Sequence, residues 1–187
     1  MKYIVLDLEW NQSAYGRAGE HPRLPFEIIE IGAVKLDHKY RLESEFRELI
    51  TPKIYRKLHH TIRNMLNYDE KDLQREGKPF KDVCKRFLDW CGEDAAFITW
   101  SDNDIFMLED NMSIHEMDID DLPECYDVQL LFDDQITQED RNFALSYAMW
   151  KFEIKPERSH DALNDAINTV AVMRKLDFSE GLEGYGI

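Results

Sequence analysis

The chain has 187 residues, 43% of them hydrophobic and 12% aromatic, and a formal net charge of −15. Those values fit one globular domain and exclude a membrane-spanning chain, because no apolar run approaches the ~18 residues a span requires. The excess of acid also argues against a protein that clings to nucleic acid through a general basic surface.

The first element is "YIVLDLEWNQ", residues 3 to 12, which reads as a buried strand with two acids in its middle. Side chains at i and i+2 of a strand share a face, so Asp7 and Glu9 project together from Tyr3, Ile4, Val5, Leu6 and Leu8. Two like charges side by side in apolar surroundings are unfavourable unless they are hydrated, protonated or joined by a cation. The opening MKYIVL meets Asp7 too early for a signal peptide, so a cytoplasmic location is the expectation.

Two more strands follow, "FEIIEIGAVKLD" (26 to 37) and "ESEFRELITP" (43 to 52). Three strands in succession without helices suggest an antiparallel meander. The period then changes, and helices are predicted over 54–66 and 79–91. Cys84 and Cys91 fall on the apolar face of the second helix, and three cysteines without a CxxC pair make neither a disulfide framework nor a zinc site. A strand over 95–100, a helix over 102–112, a strand running into a helical turn over 124–132, and helices over 140–152 and 160–176 complete the order. Residues 113–124 read as an irregular connection and 179–187 as a mobile glycine-rich tail, leaving one domain over 1–178. Strands first and alternation afterwards describe an α/β domain, a mixed sheet covered by helices.

Acids interrupt structured segments twice more. "WSDNDIFML" follows the fourth strand and offers Asp102 and Asp104, where open α/β sheets place their sites. "SHDALNDA" supplies His160, Asp161 and Asp165 at the start of the last helix. Asp161 is read as a helix cap; Asp165 lies among Ala162, Leu163, Ala166 and Ile167, near the face that packs on the sheet. "KIYRKLHHTIR", residues 53 to 63, gathers Lys53, Arg56, Lys57 and Arg63 and reads equally as a local phosphate-binding groove or a solvated helix face. Trp10, beside the first acid pair, is open to two readings, base stacking or packing. His59 and His60 in the basic stretch are open to phosphate contact or plain exposure.

Taken together, Asp7, Glu9, Asp104, His160 and Asp165 resemble the DEDDh exonucleases of the ribonuclease T and DNA polymerase III proofreading-subunit superfamily. "LDLEWN" matches the first motif and "HDALND" the third, in which histidine precedes aspartate by five. "WSDND" is similar to the tryptophan-glycine-aspartate-x-aspartate form of the Eri-like branch, with Ser101 at the glycine and Asp104, not Asp102, as the matching acid. "LNYD", residues 66 to 69, departs from the threonine-glycine-isoleucine-threonine that relatives carry where the terminal nucleotide is held.

The resemblance implies a ribonuclease H-like three-layer fold with a mixed five-stranded sheet, strands 1 to 3 as a meander and helices on both faces. It implies two divalent ions, Mg²⁺ or Mn²⁺, held by Asp7, Glu9, Asp104 and Asp165, with His160 as general base. The implied activity is 3′-to-5′ hydrolysis of single-stranded RNA or DNA to nucleoside 5′-monophosphates, with Trp10, Lys57, His60 and Arg63 as candidate substrate contacts. A binding or regulatory module of the same fold, recruiting a polymerase or RNA-processing partner, is the alternative, and a protein partner or homodimer stays open.

Overall fold

A computed structural model describes residues 1–120, 122–139, 141–156 and 161–187. Strands β1 (Lys2–Gln12), β2 (Phe26–Leu36) and β3 (Leu42–Leu49) run antiparallel as the predicted meander. β4 (Ala95–Thr99) and β5 (Cys125–Asp127) add parallel strands on the other side of β1, giving the order β3-β2-β1-β4-β5. β1 is thus central and covered on both faces, which is why its apolar residues run almost unbroken.

Alternation along β1 divides the core between two faces. Ile4, Leu6 and Leu8 pack with Val83, Cys84 and Phe87 of α3 (Phe80–Cys91) and with Leu108 and Met112 of α4 (Asn103–Ile114). Val5 points the other way, toward Ala166, Val170 and Met173 of α7 (Ala162–Met173) and toward α5 (Val128–Phe132) and α6 (Leu145–Lys151). Helices therefore cover both faces, and Cys84 and Cys91 are core residues as expected. Among the described residues, no helix is long and apolar enough to cross a membrane.

Three segments differ from expectation. Within the predicted helix over 54–66 only α1 (His60–Met65) is helical. Buried Glu27 accepts the N–H groups of Lys53 (2.6 Å), Ile54 (3.0 Å) and Tyr55 (2.6 Å). Buried Asn11 donates to the carbonyls of Tyr55 (2.8 Å) and Lys57 (3.0 Å) and accepts from the His59 amide (2.9 Å). Two buried polar side chains thereby take the backbone groups that a helix needs for itself. A further helix, α2 (Glu70–Glu76), opens on a reciprocal cap between Asp69 and Asp72, a signal present in the sequence but not singled out.

α6 starts at Leu145, later than the predicted 140. The carbonyl of Phe143 is held by the Trp100 indole N–H (3.0 Å) and the Gln129 side-chain amide (2.6 Å), and the helix begins only after Ala144, whose backbone is extended. Residues 179–187, expected as a mobile tail, lie against β5 instead: Leu182 is buried, the Ile187 amide donates to the Cys125 carbonyl at 2.9 Å, and the Tyr185 hydroxyl donates to Asp134.

Candidate active site

The site forms where β1 meets the first turn of α7. Asp7 and Glu9 leave β1 on the α7 face, and directly across the ladder stand Gly32 and Glu30 of β2. Gly32 has to be glycine. A Cβ there would sit 2.0 Å from the Leu163 nitrogen and 2.2 Å from the Ala162 carbonyl carbon, so α7 rests on bare strand backbone. That contact brings Asp165 down to the strand pair, and one oxygen from each of Asp7, Glu9 and Asp165 falls within 4.8 Å of the others.

Asp104 arrives from the opposite direction. β4 pairs with β1 only as far as Val5, which leaves the Leu8 amide without a strand partner. The Asp104 carboxylate in the first turn of α4 accepts that N–H at 2.9 Å. Asp104 is buried while Asp102 is exposed. Between β4 and α4 the chain turns through Ser101 at φ 82°, a left-handed backbone that favours the glycine of the related motif. The Ser101 amide is held by the Asp127 carboxylate at 3.0 Å.

Crowding of acids sets the electrostatics. Burial, then the fields of Asp104, Glu9 and Asp165, raise Asp7 well above the usual carboxylate range. Burial, then Glu30 and Asp165, push Glu9 up to about 8. Asp104 is pushed up to about 7 by burial, against the lowering effect of the Leu8 amide. Such a set relaxes in one of two ways, by taking protons or by taking a multivalent cation. Oxygen-only donors at this spacing suit a hard divalent ion such as Mg²⁺ or Mn²⁺, so the residues present fit the metal that the sequence motifs imply.

A second layer was not anticipated. Glu30, wholly buried, receives the Arg47 Nε at 2.6 Å, and the same guanidinium reaches the Asp161 carboxylate at 2.8 Å. Asp161 does cap α7, accepting the Asn164 amide at 3.2 Å, but it also ties the helix start to β3 through Arg47. The buried Tyr68 hydroxyl, from the "LNYD" segment, is raised by burial and by the fields of Glu30 and Glu9. Glu30 was legible in principle: it lies two residues before Gly32 in the otherwise apolar stretch 28–34, so period-two alternation puts it on the same face as Gly32.

The other candidates take partners of their own. Trp10 lies beyond a bulge opposite Ile29, turns to the face of α3 and α4, and meets Phe26 edge-on with ring centroids 6.3 Å apart. Arg63 pairs with Glu70, and exposed Lys57 stands over the Tyr15 ring. His60 is exposed beside His59. His160 lies outside the described residues.

An exonuclease family model, RNase T, matches residues 4–173. The chain belongs to the RNase T exonuclease family. The nuclease domain of 3′hExo, a DEDDh family member solved with rAMP, superposes with a TM-score of 0.79 at 19% identity, covering 97% of this chain and 94% of that one. The cell-death related nuclease CRN-4 gives 0.77 at 16% identity, over 93% of this chain and 62% of that one. E. coli Exonuclease I in complex with a dT13 oligonucleotide gives 0.68 at 12% identity, with 93% of this chain matching 40% of that one. None of the curated protein sequences matches this chain. The RNase T domain is a nuclease domain, and here its ribonuclease H-like sheet brings Asp7, Glu9 and Asp165 to one point.

Proposed function

We propose that this RNase T family member is a divalent-metal-dependent 3′-to-5′ exonuclease that removes nucleoside 5′-monophosphates from single-stranded RNA or DNA. The observation that carries the reading is the approach of Asp7, Glu9 and Asp165 to within 4.8 Å, in surroundings that raise the proton affinity of Asp7 and Glu9 and make a cation the natural partner of the group.

Divalent ions bound there supply charge neutralisation at the scissile phosphate and acidify water. Asp7, Glu9 and Asp165 hold the ions; Asp104, anchored to the Leu8 amide, closes the acid set from the α4 side. His160, one residue before the α7 cap, takes the proton of the attacking water, a role suited to an imidazole titrating near neutrality. Glu30, Arg47 and Asp161 keep β2, β3 and the start of α7 in register, so the acids stay placed for reaction. Exposed Lys57 and His60 stand on the segment before and within α1 as phosphate contacts, with Trp10 and Arg63 as further candidates.

The test uses 5′-labelled single-stranded RNA and DNA with Mn²⁺ or Mg²⁺, or with EDTA, beside Asp7→Ala and His160→Ala. The expected result is a ladder shortening from the 3′ end, dependent on metal and lost in both variants. Intact substrate of both sugar types in the presence of metal overturns the reading.

A further inference from the structure

A cavity of about 780 Å³ lies on the other side of the sheet from Asp7 and Glu9, between the end of β3, α2, the start of α3 and the far end of α4. Its size falls in the range of small-molecule sites, roughly 300–1,000 Å³. The floor is apolar, built from Ile28, Ile50, Pro79 and Phe80, with the Phe80 ring stacked on His115 at 4.9 Å and 20°. Above it stand Lys53, Arg56 and Lys81, all exposed, a local cationic group on a chain of net charge −15.

Three acids share the wall, and two of them are already engaged. Glu27 is saturated by the amides of Lys53, Ile54 and Tyr55, and Glu70 by Arg63 and the Leu58 amide. Asp82 is exposed in the first turn of α3. The helix opens into the cavity behind Pro79 with no side-chain cap over its first amides, so its positive end adds to the three cations. Burial, with the fields of Lys53 and Lys81, lowers His115 against the raising field of Glu27 and so favours a neutral ring beside Phe80. An apolar, aromatic floor under a cationic rim matches a flat heterocycle that carries a phosphate.

We propose that this cavity is a second nucleotide site, separate from the carboxylate cluster, with the phosphate at Lys53, Lys81 and the start of α3 and the base lying over Pro79 and the His115 ring that stacks on Phe80. The occupant is either a free 5′-nucleotide or one unit of a bound strand, and the chemistry of recognition is the same for both. The site does not depend on metal, so its occupancy is measured apart from hydrolysis.

The experiment is a chemical-shift titration of the ¹⁵N-labelled full chain in EDTA, with AMP, a short single-stranded oligonucleotide and inorganic phosphate as separate probes. Saturable shifts at the Lys53, Phe80, Lys81 and His115 amides are expected, unchanged in Asp7→Ala and weakened about tenfold or more in Lys53→Gln/Lys81→Gln. Both lysines are exposed, so the double variant leaves the core intact, which its undisturbed spectrum elsewhere verifies. Shifts with AMP indicate a free nucleotide as ligand; shifts with the oligonucleotide alone indicate a strand unit. Absence of saturable shifts there with AMP and with the oligonucleotide, equal affinity for phosphate and AMP, or indifference to the lysine substitutions overturns the proposal.

Discussion

The Leu8 amide donates to the Asp104 carboxylate at 2.9 Å, so the acid from α4 is tied to the one residue that separates Asp7 from Glu9. That hydrogen bond, together with the packing of Leu108 and Met112 against Leu6 and Leu8, sets the distance between α4 and the acid pair of β1. Asp104→Ala leaves a buried N–H without an acceptor and is expected to destabilise the fold by about 1–3 kcal/mol. Asp104→Asn keeps an acceptor and removes a buried charge. It should melt at or above the parent temperature without metal, yet require more Mn²⁺ for nuclease activity.

Stability of the metal-free protein should fall as pH rises. Asp7, Glu9 and Asp104 hold protons more tightly folded than unfolded, with Glu9 near 8 and Asp104 near 7 against ordinary values of 4.5 and 3.8. The folded state then binds the extra protons between about pH 4 and 8, so the unfolding free energy declines across that window. Divalent ions compete with those protons, and the stabilisation they add should be larger at pH 8 than at pH 5. Thermal melts at both pH values, with EDTA and with Mg²⁺, check the sign of each effect.

Gly32→Ala tests the seating of α7. The added Cβ meets backbone at 2.0 Å, which no side-chain rotation relieves. Overpacking of this kind is expected to destabilise by about 1–3 kcal/mol or more. Because Asp165 moves with the helix, activity should drop further than stability alone explains, seen as weakened metal binding at a temperature where the variant is fully folded.

Arg47→Met removes the cation shared by Glu30 and Asp161. Breaking a pair around a wholly buried acid is expected to destabilise by about 3–5 kcal/mol, and the loss should shrink at low pH, where Glu30 is protonated. Denaturant melts at pH 5 and pH 8 read the difference. A loss independent of pH would mean that Arg47 acts through its packing alone.

Glu27→Ala should release the backbone that carries the basic residues. Three amides lose their buried acceptor, and a destabilisation of about 2–4 kcal/mol is expected. Hydrogen exchange of Lys53, Ile54 and Tyr55 should quicken by orders of magnitude more than exchange in β1.

Much of this was legible in the chain before folding. Alternation and helical period, which are local properties, led to a mixed sheet that starts with a three-strand meander, and the acid-x-acid and histidine-aspartate motifs led by resemblance to the RNase T family. What escaped depends on partners distant in sequence. The helix predicted over 54–66 yields to Glu27 and Asn11, which lie on other strands, and the Phe143 carbonyl delays α6 through Trp100 and Gln129.

Residue type and periodicity, which act over a few positions, suffice to name the strand that carries Asp7 and Glu9 and the helix that carries Asp165. How close those acids come is another matter. It is set by a bare glycine under α7, an orphaned amide at Leu8 and an arginine bridging Glu30 to Asp161, contacts between residues up to 131 positions apart that exist only once the sheet has closed.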